Sequence, residues 1–389
     1  MRYCGPQVLR CVSKTGVFSM SHRHGWRFSW VTTWNEIWDS SFVTQWQKWM
    51  ESSPDSHVFF EPSMVRMWVR YFQTRERVEP RFLVGEHVSG CKVLFPLVRV
   101  QYGWKDSWCR VLQPAGADSF DYHDPIFSEN SGEFVSSFWT AFAEESIRSF
   151  GRAVDQVVIP RVRESCVGAC QDFHAVERSP FIDLHDVAGI DTPLANIPNK
   201  LRRDVQRQVR RLEKLGHLQL RMFGADELDL ATDALDGLAR AYCDKWRVSR
   251  KAMDIYTQML EACLPEDFFH MSVLESNGVP ISWHIGFLHK RRFYHYKLAF
   301  DVRFWNYSPG QVHRMKLVEE GLHQGATVFD FLRGEEEYKY HWTKSSIGLY
   351  QMQIGGPTLR SQIARRARRL MCGSRRRMRE LGQHYYRKS

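Results

Sequence analysis

Residues 294–342 read YHYKLAFDVRFWNYSPGQVHRMKLVEEGLHQGATVFDFLRGEEEYKYHW, in the order strand, loop, helix, strand, polar loop. Residues 294–300 alternate and are rich in aromatics, which suits a half-buried strand. At the centre, Ser308 is placed to cap a helix, Pro309 fits its first position, and Gln311 completes an S-x-x-Q capping box. Val312, Met315, Val318 and Leu322 then fall on one helical face. Gly321 and Gly325 both offer a stop; Gly325 is preferred, because Leu322 still keeps the apolar spacing. Residues 328–332 read as a short strand, followed by a crowd of acidic, basic and aromatic side chains.

A helix N-terminus presents unpaired N–H groups and the positive end of a dipole. Gly310 has no Cβ, so a ligand can approach its backbone closely. Ser308, Pro309, Gly310 and Gln311 therefore form a candidate anion site, with the pyrophosphate of coenzyme A as one occupant. The plainer alternative is only a well-capped helix.

Outside this stretch, 389 residues hold two or three modules, and 43% hydrophobic with 25% charged residues is ordinary for a globular chain. Fourteen Trp imply bulky packing or platforms for flat ligands. No apolar run nears a membrane span, and no h-region follows the start, which argues for a cytoplasmic protein. Nine Cys without metal-ligand spacing read as free thiols, with no metal expected. Residues 359–389 carry eleven Lys/Arg and one acid, leaving 43 basic and 43 acidic residues in a neutral body. That tail suits an anionic membrane surface or nucleic acid, or is simply solvated.

Residues 1–30 give weak signals and are expected to be an extension, with Met20 an alternative start. Helices are expected over 33–50, from Pro62, over 134–150, 200–214, 228–246 and 252–263, and strands over 81–87, 92–100 and 154–159. A hairpin is expected over 269–288, turning at Asn277-Gly278. LVGEHVSGCKVLFPL and SVLESNGVPISWHIG share the layout strand, x-Gly turn, strand, with Gly90 and Gly278 188 residues apart. Each is followed later by a helix and a strand, so the chain reads as a tandem duplication of one α/β module. The expected division is 31–185 and 186–356, with a basic tail from 357.

Ala299-Phe300-Asp301, Ser308-Pro309-Gly310, Phe329-Asp330-Phe331-Leu332, Arg333-Gly334-Glu335, Tyr338-Lys339 and Trp342 resemble the C-terminal half of the GNAT-related acyltransferases of the CelD/FemAB-like type. Leu201-Arg202-Arg203 with Gln208-Val209-Arg210-Arg211 resembles the arginine-rich helix that opens their second module. The likeness spans residues 31–356 but lacks the R/Q-x-x-G-x-G/A pyrophosphate loop of standard GNAT enzymes. It implies two tandem GNAT-like modules, mixed sheets flanked by helices, with the active site chiefly in the second. The implied reaction moves an acyl group from acyl-CoA, acetyl or longer, to an amine of an envelope or exopolysaccharide precursor. Charged tRNA is the alternative donor, as in the peptidoglycan-bridge branch; a rival of another class is a non-catalytic docking protein.

Acyl transfer needs a neutral amine, a donor for the carbonyl oxygen and a proton for the leaving thiolate. Asp330, in a strand expected to be buried just before the loop, is a candidate to accept a proton or orient the acceptor amine, or else a cap of the following turn, with Glu335, Glu336 and Glu337 in reserve. Lys339 is a candidate donor to a carbonyl or phosphate, Tyr338 a candidate acid, and Trp342 a wall of the acceptor site. Arg333 is a candidate substrate contact, Arg203 would meet a phosphate-bearing substrate, and Asp301 would hold the cofactor loop or simply form a turn. His284 and His295 sit in strand patterns, where packing is the commoner role for histidine. His123 between Asp121 and Asp124 lacks the further ligands of a metal site.

Overall fold

The computed structural model describes residues 24–74, 77–101, 108–129, 132, 134–184, 196–246 and 250–367. Its first half runs β1 (Trp26–Val31), α1 (Trp34–Ile37), α2 (Ser40–Ser52), α3 (Pro62–Gln73), β2 (Arg77–Pro80), β3 (Phe82–His87), β4 (Lys92–Phe95), β5 (Leu97–Gln101), β6 (Arg110–Pro114), β7 (Ile126–Phe127), α4 (Val135–Phe150), β8 (Gln156–Arg163) and β9 (Phe173–Asp183). Two local features reshape the expected elements. The Asp39 carboxylate accepts the Ser41 N–H and starts α2, so residues 33–50 form two helices. Pro96 has no N–H to give a ladder, and residues 92–101 divide there: β4 pairs with β3 and β7, β5 with β2 and β6.

The second half runs α5 (Asn199–Glu213), β10 (Leu218–Met222), α6 (Leu228–Trp246), α7 (Asp254–Cys263), β11 (Phe269–Ser276), β12 (Val279–His289), β13 (Arg292–Phe300), α8 (Pro309–His323), β14 (Val328–Asp330), α9 (Glu337–Tyr340) and β15 (Ser346–Gly355). The β11–β12 hairpin turns at Asn277 (φ 49°) and Gly278 (φ 72°), as an Asn-Gly pair allows. Helix α8 continues past Gly321 and stops before Gly325, whose φ of +81° is the left-handed form that suits glycine.

Among the described residues the strands form a four-stranded sheet, β1-β3-β4-β7, and an eleven-stranded one, β10-β11-β12-β13-β14-β9-β15-β8-β6-β5-β2. The duplication is visible in the pairings. β6 and β8 are parallel across α4, and β13 and β14 are parallel across α8. The strand closing each half crosses over: β9 pairs with β14 of the second half, β15 with β8 of the first, and β9 with β15. The fold is thus α/β, two modules in tandem with mixed sheets flanked by helices, joined by exchange of their last strands.

Three expectations need correction. Residues 26–30, expected as extension, belong to β1, with Trp26 fully buried and its Nε1 donating to Ser137 Oγ at 3.0 Å. The start of the basic tail is packed, not solvated: residues 359–367 are helical, Ser361 and Ala364 are buried, and Arg360 pairs with the buried Asp155. Residues 1–23 and 368–389, including Met20 and most of the tail arginines, lie outside the described residues. The Ser308 capping box is absent: Ser308 adopts φ 49°, ψ 50° and makes no side-chain cap. Trp26, Trp46, Trp68, Trp139 and Trp342 are all fully buried, so much of the high Trp content is core.

Candidate functional site

β13 and β14 pair over three residues, Arg292–Tyr294 against Val328–Asp330, and then part. A cavity of about 830 Å³ fills the wedge they open, with residues 295–298 and Phe300 on one side and residues 331–333 on the other. The first turn of α8 closes one end through Ser308, Gly310 and Gln311. Gly310 also has a packing reason to be glycine: a Cβ there would lie 3.2 Å from both Leu298 and Phe300. A second cavity, about 440 Å³, lies between α5 and the same helix end and shares Ser308 and Gln311 with the first.

Asp330 is not on the cavity wall. It is fully buried, and its carboxylate accepts from the Tyr122 hydroxyl (2.9 and 2.8 Å), Ser179 Oγ (3.2 Å), Arg292 Nη1 (2.9 Å) and the Leu332 N–H (2.8 Å). A carboxylate so occupied ties four segments together and has no access to an incoming amine, which corrects its expected role as base. Trp342 is likewise buried behind the wall, its Nε1 donating to Gln311 Oε1 at 2.9 Å. Arg203 is exposed on α5 and lines neither cavity. Asp301 accepts the Arg303 N–H at 2.9 Å and pairs with its guanidinium, fixing the turn before α8; these bonds hold the carboxyl below its usual range.

Lys339, Tyr338 and Arg333 do reach the cavity. Lys339 is 3% exposed, and its Nζ donates to the carbonyls of Leu332 (3.1 Å), Arg333 (2.6 Å) and Gly334 (3.2 Å), with Glu336 at 2.9 Å. It clamps a turn in which Leu332 and Gly334 both have positive φ, 61° and 107°. The turn sets where residues 331–333 stand, and a non-glycine residue at Leu332 holds a left-handed conformation only at a cost. Lys339→Met is therefore expected to lose about 2–3 kcal/mol, since charge-assisted bonds to buried carbonyls go unmade. Urea unfolding checks this; an unchanged midpoint would show that the clamp is idle. The Arg333 guanidinium lies 2.5 Å from Asp121 and 3.9 Å from Glu177. Burial pushes the Tyr338 hydroxyl above its ordinary pKa, so it stays protonated at neutral pH.

Several wall residues carried no such role in the sequence. Asp121 arrives from the first module, and burial raises its pKa against the pull of Arg333. Tyr296 donates its hydroxyl to the Ser119 carbonyl at 3.1 Å, and Lys297 stacks over the Tyr242 ring at 4.5 Å. His295 lines the cavity, with His284 behind it at 4.8 Å between ring centroids. Burial holds both imidazoles well below the usual pKa, hence neutral. Arg314, one turn after Gly310 and Gln311, was legible from helical spacing alone; Asp121, 171 residues before the start of β13 at Arg292, was not.

Among the described residues no cluster of three or more His, Cys, Asp or Glu is placed to hold a metal ion, and no helix is long and apolar enough to cross a membrane. Residues 199–340 match the acetyltransferase (GNAT) domain family. The chain resembles the crystal structure of FemX, at 8% identity and TM-score 0.55, over 79% of this chain and 95% of that one. It also resembles a conserved protein of unknown function from Bacteroides thetaiotaomicron, at 10% identity and TM-score 0.50, over 80% and 97%. No curated protein sequence matches the chain. The second half thus carries a GNAT acyltransferase-type domain, and the wedge cavity lies chiefly within it.

Proposed function

We propose that this protein transfers an acyl group from acyl-CoA to an amine-bearing acceptor in the wedge between β13 and β14. The observation that carries this reading is the parting of two parallel strands beside a helix N-terminus, inside the region that matches the acetyltransferase family. A diphosphate would rest at the backbone N–H of Gly310, where the helix dipole favours negative charge; the Gln311 N–H, expected to share this role, is already given to the Ser308 carbonyl at 2.9 Å. The amine nitrogen attacks the thioester carbonyl, the C–S bond breaks, and the thiolate takes a proton. Tyr338 is placed on the wall with its proton retained and supplies that acid. With Asp330 sequestered, the base falls to Glu336, a wall residue whose carboxylate is 58% exposed. Arg333 would orient the acceptor from its pair with Asp121. Envelope or exopolysaccharide precursors are the acceptors that the family likeness suggests. The helical start of the basic segment, residues 359–367, bears exposed Leu359 and Ile363, which would suit peripheral contact with an anionic membrane.

Titration with acetyl-CoA, a long-chain acyl-CoA and coenzyme A, followed by thermal melting, tests the donor. A ligand at 100 times its Kd is expected to add about 2.7 kcal/mol to the folded state. No shift with any of the three would remove the acyl-CoA reading. Weight would then pass to charged tRNA, for which Arg207, exposed on α5 and lining the second cavity, with Arg203 and Arg210 exposed on the same helix, is the supporting observation.

A further inference from the structure

Arg314 is 7% exposed, yet among the described residues no carboxylate pairs with it. Its Nε donates to His295 Nε2 at 3.2 Å and its Nη1 to Gln311 Oε1 at 3.2 Å. The guanidinium carbon lies 4.7 Å from the Tyr338 ring centroid and 5.7 Å from that of Trp342. All these partners are neutral. Burying an unpaired guanidinium costs several kcal/mol, and a neutral side chain of similar length would bridge the same groups more cheaply. The side chain nevertheless lines the large cavity. Of the other charges there, Arg333 pairs with Asp121, Lys339 with Glu336, and Asp118 lies near Arg161; Lys297, like Arg314, sits over an aromatic ring, but it is only half-buried.

We propose that Arg314 is an anion subsite that receives a carboxylate carried by the cavity's ligand. Its position favours a carboxylate over the donor's diphosphate. Gly310 abuts Leu298 and Phe300, the far end of β13. Arg314 instead meets His295, the first residue beyond the paired segment and so the apex of the wedge. Four helical residues separate the two levels by about 6 Å. A diphosphate at the helix end leaves Arg314 facing the reacting end of the site. A planar guanidinium edge matches a carboxylate with two parallel hydrogen bonds. The carboxylate has two sources, an acceptor that carries it near its amine, as an amino acid does, or the acyl chain of the donor. The assignment rests on reading the cavity as the acyl-transfer site.

The test is calorimetric titration of the full chain, wild type and Arg314→Met, with two matched pairs: succinyl-CoA against butyryl-CoA, and L-alanine against L-alaninamide. The expected result is at least tenfold tighter binding of the charged member of one pair, lost in Arg314→Met and partly kept in Arg314→Lys. The pair that responds names the source. Arg314→Met is expected to melt at or above the wild-type temperature, because an unpaired buried charge is gone. Equal binding of charged and neutral members in both pairs overturns the proposal, as does a preference that survives Arg314→Met. Inorganic phosphate competing as well as the carboxylates also overturns it. An Arg314→Met variant that unfolds, with no carboxylate preference in Arg314→Lys, would assign the side chain a purely structural role. Failure of every CoA thioester to bind the wild type overturns the acyl-CoA reading alone, and the alanine pair then decides the subsite.

Discussion

Lowering the pH from about 7.5 to about 5.5 is expected to remove several kcal/mol of folding stability, enough to unfold much of the chain at the typical reserve of about 5–15 kcal/mol. The cause is buried imidazole. Burial holds His57, His123, His270, His284 and His295 below the ordinary value of 6.5, His289 at about 4 and His313 at about 3. The sign follows from proton counting. Above pH 6.5 neither state binds these protons; below it the unfolded chain takes them and the folded chain refuses, so stability is lost as pH falls. Three acids act the other way. Glu61, raised to about 7, and Asp121 and Asp124, raised by burial, take protons in the folded state first, so acidification favours folding through them. Seven imidazoles outnumber three carboxyls, and each group that titrates in only one of the two states shifts stability by about 1.4 kcal/mol per pH unit, so the loss wins. Urea unfolding at the two pH values measures this. Stabilities within about 1 kcal/mol of each other would mean that the histidines titrate normally and are not buried as described.

The second large effect is expected at Asp330. Asp330→Ala should cost about 3–5 kcal/mol, because it leaves the half-buried Arg292 guanidinium and the fully buried Tyr122 hydroxyl without this acceptor. It also removes the cap on the Leu332 N–H, and with it the turn that carries Phe331, Leu332 and Arg333 into the cavity. Asp330→Asn, which keeps one acceptor oxygen, should fall between the two. The competing role as a base predicts the opposite pattern: full stability with turnover abolished. Measuring urea midpoints beside transfer rates separates them, and an Asp330→Ala chain of wild-type stability would sink the structural assignment.

The same residue shows why site roles were less legible than elements. The sequence marks Asp330 as a carboxylate beside a polar loop, which suits a base and a hydrogen-bond hub equally. The choice depends on Tyr122, Ser179 and Arg292, which approach from three other strands and loops. Lys339 is similar: its clamp on three carbonyls exists only because residues 332–334 bend back over α9. β9 and β15 escaped notice because neither alternates cleanly. Each is held by ladders to strands far away in sequence.

What the sequence by itself determined is local. Pro309, Gly310, Gly278 and Gly325 punctuate the second half through backbone restrictions that act within a few residues, and apolar spacing marks α3, α4, α5, α6 and α8. The repeated order of hairpin, helix and strand already implied a duplicated α/β module. Tertiary structure alone decided the exchange of β9 and β15, the partners that occupy the Asp330 carboxylate, the burial of Trp342, and the meeting of Asp121 with Arg333. Each of these is a balance of desolvation against partners supplied from distant segments, and no window of sequence contains both sides of that balance.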